Sequence, residues 1–256
     1  MSFDFTHKVV LVTGSSKGIG RSVAVAFAKA GATVVGLARG DQSETAAEAG
    51  ARFHAEYFDA EKLDAEGAAG IVAGIVSKFG RVDALINNAG TIRRAPAHEH
   101  PQSDWNAVIQ INLTAPFLLA QAVGAWWIRE GSAAVAEPAR LKIVNIASLL
   151  SFQGGLNVIS YTASKHGIAG VTKALSNEWA SRRVNVNALA PGYIETDNTA
   201  PLIADPVRNK AILDRIPAGR WGDPCDISGT CLFLASPAAD YLNGAVLNVD
   251  GGWMGR

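Results

Sequence analysis

The chain has 256 residues, 48% hydrophobic and 18% charged, with 23 Lys+Arg against 23 Asp+Glu. Such a composition excludes an intrinsically disordered chain, and zero formal charge leaves no global positive field to hold nucleic acid or an anionic membrane. The two cysteines, Cys225 and Cys231, lie six residues apart without a nearby histidine pair and read as reduced thiols, with no metal site expected.

The opening MSFDFTHKVVLVTG lacks a basic region followed by a long apolar run. No segment approaches the roughly 18 apolar residues a bilayer span needs, so a cytoplasmic protein without a membrane partner is expected. KVVLVTG is a β-branched apolar run ending in glycine and predicts a buried strand. GIGRSVAVAFAKAG follows with Val23 and Phe27 at helical spacing and Gly31 as a stop. ATVVGLAR predicts a second strand, and RFHAEYFD a less apolar third. Residues 61–79 place Leu63, Ile71, Ile75 and Phe79 on one helical face. VDALINNAG predicts a fourth strand, residues 103–129 a long helix capped by Ser103, and LKIVNIAS a fifth strand. SYTASKHGIAGVTKALSNEWASR predicts a second long helix and VNVNALAPG a sixth strand. Short helices near 206–215 and 224–236 and a closing strand in AVLNVDGG complete the chain.

Strands alternating with helices imply right-handed crossovers and a parallel sheet covered on both faces. Seven such strands predict an α/β fold, a doubly wound Rossmann-type sheet in one domain spanning 1–256. EGSAAVAEPAR, residues 130–140, precedes the fifth strand. It is expected as a surface insertion at the strands' N-terminal edge, away from the carboxyl ends where ligands bind.

TGSSKGIG, Thr13 to Gly20, lies between the first strand and the first helix. Gly14, Gly18 and Gly20 permit a tight turn and close backbone approach, and the helix N-terminus offers free N–H groups to a pyrophosphate. With Ser16, Lys17 and Ile19 they form the expected dinucleotide cradle. At the end of the second strand an acidic residue would accept the ribose 2′-hydroxyl, but GLARGD puts Ala38 there, followed by Arg39. Arg39, helped by Lys17, suits a 2′-phosphate, although Asp41 lies close enough to face a ribose; the residues lean to NADP and leave NAD open. Asp59 is a candidate partner for the adenine amino group, or else the N-cap of the helix over 61–79.

In SYTASK, Tyr161 and Lys165 are four apart and share a helix face. A neighbouring ammonium stabilises a phenolate and turns tyrosine into an acid–base group. Ser148 ends the fifth strand 13 residues earlier and offers a hydroxyl to a substrate oxygen. Asn112, in INLTAP, is expected to hold a water that relays protons to Lys165.

These motifs, with NNAG, PGYIET and the closing DGG, make the chain resemble the short-chain dehydrogenase/reductase family over essentially its whole length. The resemblance implies Asn112, Ser148, Tyr161 and Lys165 as the catalytic set. NNAG, residues 87–90 with Asn87, Ala89 and Gly90, would line the adenine–ribose side. Pro191, Ile194 and Thr196 would sit by the nicotinamide, the last two at its carboxamide. Longer strings (NNAGTIRR, SFQGG, NEWA, ILDRIPAGRWG) are similar to a branch acting on keto-deoxy sugar acids and associated with NAD, against the lean of Arg39. The family mostly forms homotetramers through its two long central helices and C-terminal strands. Trp126, Trp127, Trp179 and Trp253 fit such contacts or ordinary core packing.

A sugar acid needs a cation for its carboxylate. Arg93 and Arg94, after the fourth strand, are candidates, with Gln153, Asn198 and Arg215 as further contacts and residues 193–220 as a substrate lid. The alternatives are a 3-oxoacyl thioester reductase, a polyol or steroid dehydrogenase, or a non-catalytic dinucleotide-binding sensor. A sensor needs no acid–base pair, so Ser148, Tyr161 and Lys165 weigh against it.

Overall fold

A computed structural model describes residues 3–133, 135 and 139–256. The apolar runs become strands β1 (Val9–Thr13), β2 (Thr33–Ala38), β3 (Phe53–Tyr57), β4 (Ala84–Asn87), β5 (Leu141–Ile146), β6 (Val184–Pro191) and β7 (Val246–Val249). They form one sheet in the order β3-β2-β1-β4-β5-β6-β7, every pair parallel. The expected doubly wound, seven-stranded sheet is therefore present. β1, β4, β5 and β6 are buried along their whole length, which explains why they read as unbroken apolar runs. β3 lies at an edge and buries only Phe53 fully, so it carries His54, Glu56 and Tyr57.

Alternation along β1 builds the two cores. Val9 and Leu11 face a layer that holds Val72 and Ile75 of α3 (Ala65–Phe79) and Leu119 and Val123 of α5 (Ala115–Trp126). Val10 and Val12 face Val23 and Phe27 of α1 (Gly18–Lys29) and Ile227, Cys231 and Leu234 of α9 (Pro224–Ala235). The order reverses between β1 and β4, and this switch point opens a crevice outside the strands' carboxyl ends.

Local details correct several expectations. The helix after β3 begins at Ala65, because the Asp64 carboxylate accepts the Gly67 N–H at 2.8 Å; Asp59 is not its cap. α4 (Gln102–Ile109) starts after Pro101 with no side-chain cap, so Ser103 does not fill that role. A π-helical turn at Gln110–Thr114 joins it to α5, and a second at Trp127–Gly131 ends the rod. This rod, Gln102–Gly131, is long and apolar enough to cross a bilayer, with a window of mean hydropathy 1.4. That overturns the expectation that no segment approaches the limit. Half of the window is buried within the fold, where Leu119, Ala120, Val123 and Trp127 join the core. Trp126, Trp127 and Trp253 are buried, and the Trp179 ring packs where a Gly124 side chain would stand. A short helix α2 (Ser43–Ala49) follows β2, and α7 (Ala200–Ala204) and α8 (Pro206–Leu213) follow β6. The insertion over 130–140 lies partly outside the described residues; Arg183 binds the carbonyls of Ser132 and Ala139 on either side.

Candidate active site

A cleft of about 790 Å³ lies at the carboxyl ends of β1, β2, β4, β5 and β6. Gly14, Ser16, Lys17, Gly18, Ile19 and Gly20 line one wall. Gly14 has φ +69°, and a Cβ on Gly20 would fall 2.1 Å from the Gly14 carbonyl oxygen, so only glycine allows this turn. α1 starts at Gly18 with no side-chain cap, leaving its first N–H groups to face an anion. A tight glycine cradle ending on an uncapped helix N-terminus fits the pyrophosphate of a dinucleotide.

The turn after β4 forms the cleft floor. The Thr13 hydroxyl accepts the N–H groups of Asn88 and Ala89, both at 2.9 Å, which draws the turn against β1. The Asn88 amide donates to the carbonyls of Thr13 and Gly14 and so braces the glycine turn. Asn88, Ala89, Gly90 and Thr91 line the cleft, whereas Asn87 does not. Asn87 is the last residue of β4, and its amide is buried between the Pro116 carbonyl (3.1 Å) and Asn145 (2.9 Å). The adenine-side role expected of Asn87 therefore does not fit its placement.

Asn112 sits in the first π turn, buried. Its oxygen accepts the Thr91 N–H at 2.8 Å, and its amide donates to the Thr91 carbonyl at 2.9 Å and the Ser164 hydroxyl at 3.1 Å. With both N–H groups committed, its side chain is ill suited to the expected water-holding role. Instead it staples the β4 turn to α6 (Ile159–Trp179), where Ser164 donates to the Tyr161 carbonyl at 2.7 Å.

α6 brings Tyr161 and Lys165 to the cleft beside Ser148, which follows β5. Ser148 is extended, and its hydroxyl accepts the Leu150 N–H at 3.2 Å. The Lys165 ammonium donates to the Ile146 carbonyl at 2.6 Å and stands 5.6 Å from the centre of the Tyr161 ring. Burial with no carboxylate alongside lowers the Lys165 pKa from 10.5 to about 8. Burial raises the Tyr161 phenol, while a hydrogen bond with Ser148 and then the charge of Arg94 pull it back down.

Arg93 and Arg94 part company. Neither lines the cleft itself; Arg93 stands 3.8 Å from Asp104 of α4, on the flank. Arg94 donates to the Asn198 carbonyl at 3.2 Å, bridging from the β4 loop to the segment after β6. Asn198 lines the cleft; Gln153 does not, lying beyond the single turn Leu149–Ser151. Arg215 stacks on Trp253, 4.0 Å from the ring centre, within a small core of Leu149, Ile212, Ile216, Trp221 and Trp253.

At the far end, Ala38, Arg39 and Asp59 line the cleft as expected from their order, together with Gly40 and Glu61. Arg39 is 3.4 Å from Glu61 and 3.7 Å from Asp59. Pro191, Ile194 and Thr196 line the opposite wall, and Thr196 packs against Gly18. Lys17 pairs with Asp197 at 2.5 Å. Sequence reasoning placed Asn88 on the cofactor side as part of NNAG and missed Glu61 and Asp197. No local pattern announced those two.

The fold and this cleft define the class: the chain belongs to the short-chain dehydrogenase/reductase family, and the family described as enoyl-(acyl carrier protein) reductase matches residues 14–254. It is an oxidoreductase of CH–OH groups that uses a nicotinamide dinucleotide. Among its relatives, the 2-dehydro-3-deoxy-D-gluconate 5-dehydrogenase of Dickeya dadantii is 46% identical, over 100% of this chain and 98% of that one. An Agrobacterium tumefaciens structure named provisionally as a 2-deoxy-D-gluconate 3-dehydrogenase, with bound NADP, is 48% identical at a TM-score of 0.90, covering 100% and 99%. A gluconate 5-dehydrogenase from Burkholderia cenocepacia, in complex with NADP and tartrate, is 34% identical at a TM-score of 0.89, covering 100% and 98%.

Proposed function

We propose that the chain is a cytoplasmic, homotetrameric dehydrogenase of keto-deoxy sugar acids, using NADP as well as NAD. It interconverts a secondary alcohol and a ketone, with residues 193–220 closing over the substrate as a lid. The observation that carries this assignment is Arg94: its guanidinium donates to the carbonyl of Asn198, a cleft-lining residue, which sets a cation at the cleft's edge, and its charge favours the Tyr161 phenolate. A cation there suits a substrate carboxylate. The sugar-acid names of the relatives above support the same substrate class. Tetramer formation is supported by apolar side chains left exposed on the two central helices, Trp105 and Ile159, and by fully exposed Tyr241 near β7.

The nicotinamide, when bound, supplies the hydride acceptor at its C4. Tyr161, as phenolate, takes the hydroxyl proton of the substrate while Ser148 donates a hydrogen bond to the same oxygen. Burial opposes the phenolate and keeps the phenol above its ordinary value, and Ser148 and then Arg94 offset part of that cost. Lys165, with a pKa of about 8, keeps a positive charge below the phenol at neutral pH. Gly14, Gly18 and Gly20 seat the pyrophosphate, and Arg39 meets a 2′-phosphate.

The test is kcat/KM with NAD and NADP against 2-dehydro-3-deoxygluconate, 2-deoxygluconate, a neutral polyol and a 3-oxoacyl thioester. A sugar acid is expected to exceed the polyol and the thioester by about 10- to 100-fold, since a charged hydrogen bond is worth roughly 1.5–3 kcal/mol. Equal values across the panel would remove the sugar-acid reading. In Tyr161→Phe turnover is expected to fall at least about 100-fold with dinucleotide binding retained.

A further inference from the structure

Among the described residues lining the cleft, the basic groups are Lys17, Arg39 and Lys165, and the acidic groups are Asp59, Glu61, Glu195 and Asp197. Three cations thus face four carboxylates. Lys165 is buried, donates to the Ile146 carbonyl and stands 5.6 Å from the Tyr161 ring centre. That leaves Lys17 and Arg39 as the cations within reach of a 2′-phosphate, and each already has an acidic partner. Arg39 is bonded to Glu61 at 3.4 Å, and Lys17 to Asp197 at 2.5 Å. Ser16 lies against Gly40, so the glycine turn and the end of β2 share one rim.

We infer that Glu61, with Asp197 in a lesser role, sets the choice between NAD and NADP by occupying the cations that a 2′-phosphate would otherwise take. The inference rests on the dinucleotide reading of this cleft. While the pairs stand, the charges of Arg39 and Lys17 are partly balanced, and NAD binds without disturbing them. A 2′-phosphate gains these cations only by displacing the carboxylates, and it is repelled by them as it arrives. Both pairs are largely exposed, with side-chain exposures of 58% and 47% for Arg39 and Glu61 and 68% and 72% for Lys17 and Asp197. An exposed pair biases an equilibrium by no more than about fivefold. Glu61 and Asp197 therefore tune the preference without forbidding either dinucleotide. Asp59 contributes less, since it is 3.7 Å from Arg39 and its carboxylate is held by the Glu61 N–H at 3.1 Å. The effect of Glu61 opposes that of Arg39, so one segment of cleft wall carries both the group that welcomes a 2′-phosphate and the group that restrains it. Asp197 adds a second consequence: it belongs to the lid, so its pair with Lys17 links the lid to the glycine turn.

The test is direct titration of the full-length protein with NAD+ and NADP+, followed by calorimetry. Variants are Glu61→Gln, Asp197→Asn, Arg39→Ala and the double variant Arg39→Ala/Glu61→Gln. Glu61→Gln keeps the size of the side chain at an exposed position and is expected to tighten NADP+ about fivefold while moving NAD+ less than twofold. Asp197→Asn is expected to tighten NADP+ about twofold. In the Arg39→Ala background the Glu61→Gln effect on NADP+ is expected to disappear. The inference is overturned if Glu61→Gln shifts both dinucleotides alike, loosens NADP+, or acts equally with and without Arg39. A wild-type protein that binds neither dinucleotide overturns the cofactor reading and the inference with it.

Discussion

The floor beneath the catalytic hydroxyls and the rim around the cleft mouth differ in what holds their side chains. On the floor, Lys165 donates to a backbone carbonyl at 2.6 Å, Asn112 binds both backbone groups of Thr91, and Ser151 donates to the Lys165 carbonyl at 2.6 Å. No carboxylate contributes to these links. On the rim, Lys17–Asp197, Arg39–Glu61 and Arg93–Asp104 are exposed ion pairs. Buried hydrogen bonds fix the reacting groups because any alternative leaves polar atoms orphaned. Exposed pairs are weak and replaceable. Damage to the floor should therefore strike the chemical step, and damage to the rim should alter binding by small factors.

Lys165→Met gives the largest expected separation between function and stability. Turnover should fall about 1,000-fold, the scale of a lost acid–base device. The fold should become more stable at neutral pH. The sign follows from the shift: the pKa of Lys165 falls from 10.5 to about 8 on folding. Between those values the unfolded chain holds more protons, so stability rises with pH across the window, and below about 8 the protein carries the full cost of the buried charge. That cost has a ceiling of roughly 3 kcal/mol. Losing the donor to the Ile146 carbonyl returns about 1 kcal/mol of it. Melting curves should place the variant above the wild type at pH 7, the gap closing towards pH 10.5. A less stable variant at pH 7 would mean that the floor needs the ammonium for folding as well as for chemistry.

Arg94→Ala tests whether the rim reaches the floor. KM for a sugar acid should rise about tenfold, and for a neutral alcohol much less. Removing a cation that favours the phenolate should also raise the Tyr161 pKa. Alcohol oxidation needs that phenolate, so the rising limb of its pH profile should move to higher pH. Arg93→Ala should change either KM less than twofold and leave the limb in place, because Arg93 faces Asp104. Equal effects from the two arginines would dissolve the distinction between them.

The divergence of these neighbours marks where sequence reading stops. Runs such as VVLVT and LKIVNI announced their strands because two-sided burial demands continuous apolar side chains. Tyr161, Lys165 and the glycine turn were legible because helix spacing and turn geometry are local. Arg93 and Arg94 have the same chemistry and adjacent numbers, so only tertiary placement separates them. Asn87 and Asn88 differ by the strand's last pleat, which sequence locates to within a residue or two at best. The Arg39–Glu61 and Lys17–Asp197 pairs on the rim join residues 22 and 180 positions apart, and no local pattern records them. The start of α3 was misread because two aspartates stood nearby and only one, Asp64, had an N–H three residues on in reach.

Arg215→Ala has the smallest expected effect and the sharpest logic. In the sequence Arg215 stood as a substrate contact; in the fold its guanidinium lies over Trp253. Two more links bind this end of the proposed lid to the closing residues: the Ala218 N–H donates to the Gly251 carbonyl at 3.0 Å, and Arg256 donates to the Asp214 carbonyl at 3.0 Å. Those links and the core of Ile212, Ile216 and Trp221 persist in the variant. The lost stack is worth roughly 0.5–1 kcal/mol, so the lid should close two- to fivefold less favourably. A loosened lid covers every substrate less well. KM should therefore rise by the same small factor for a sugar acid and for a neutral polyol. A rise confined to the acid would return Arg215 to the anion site, and the lid end would then belong with Arg94.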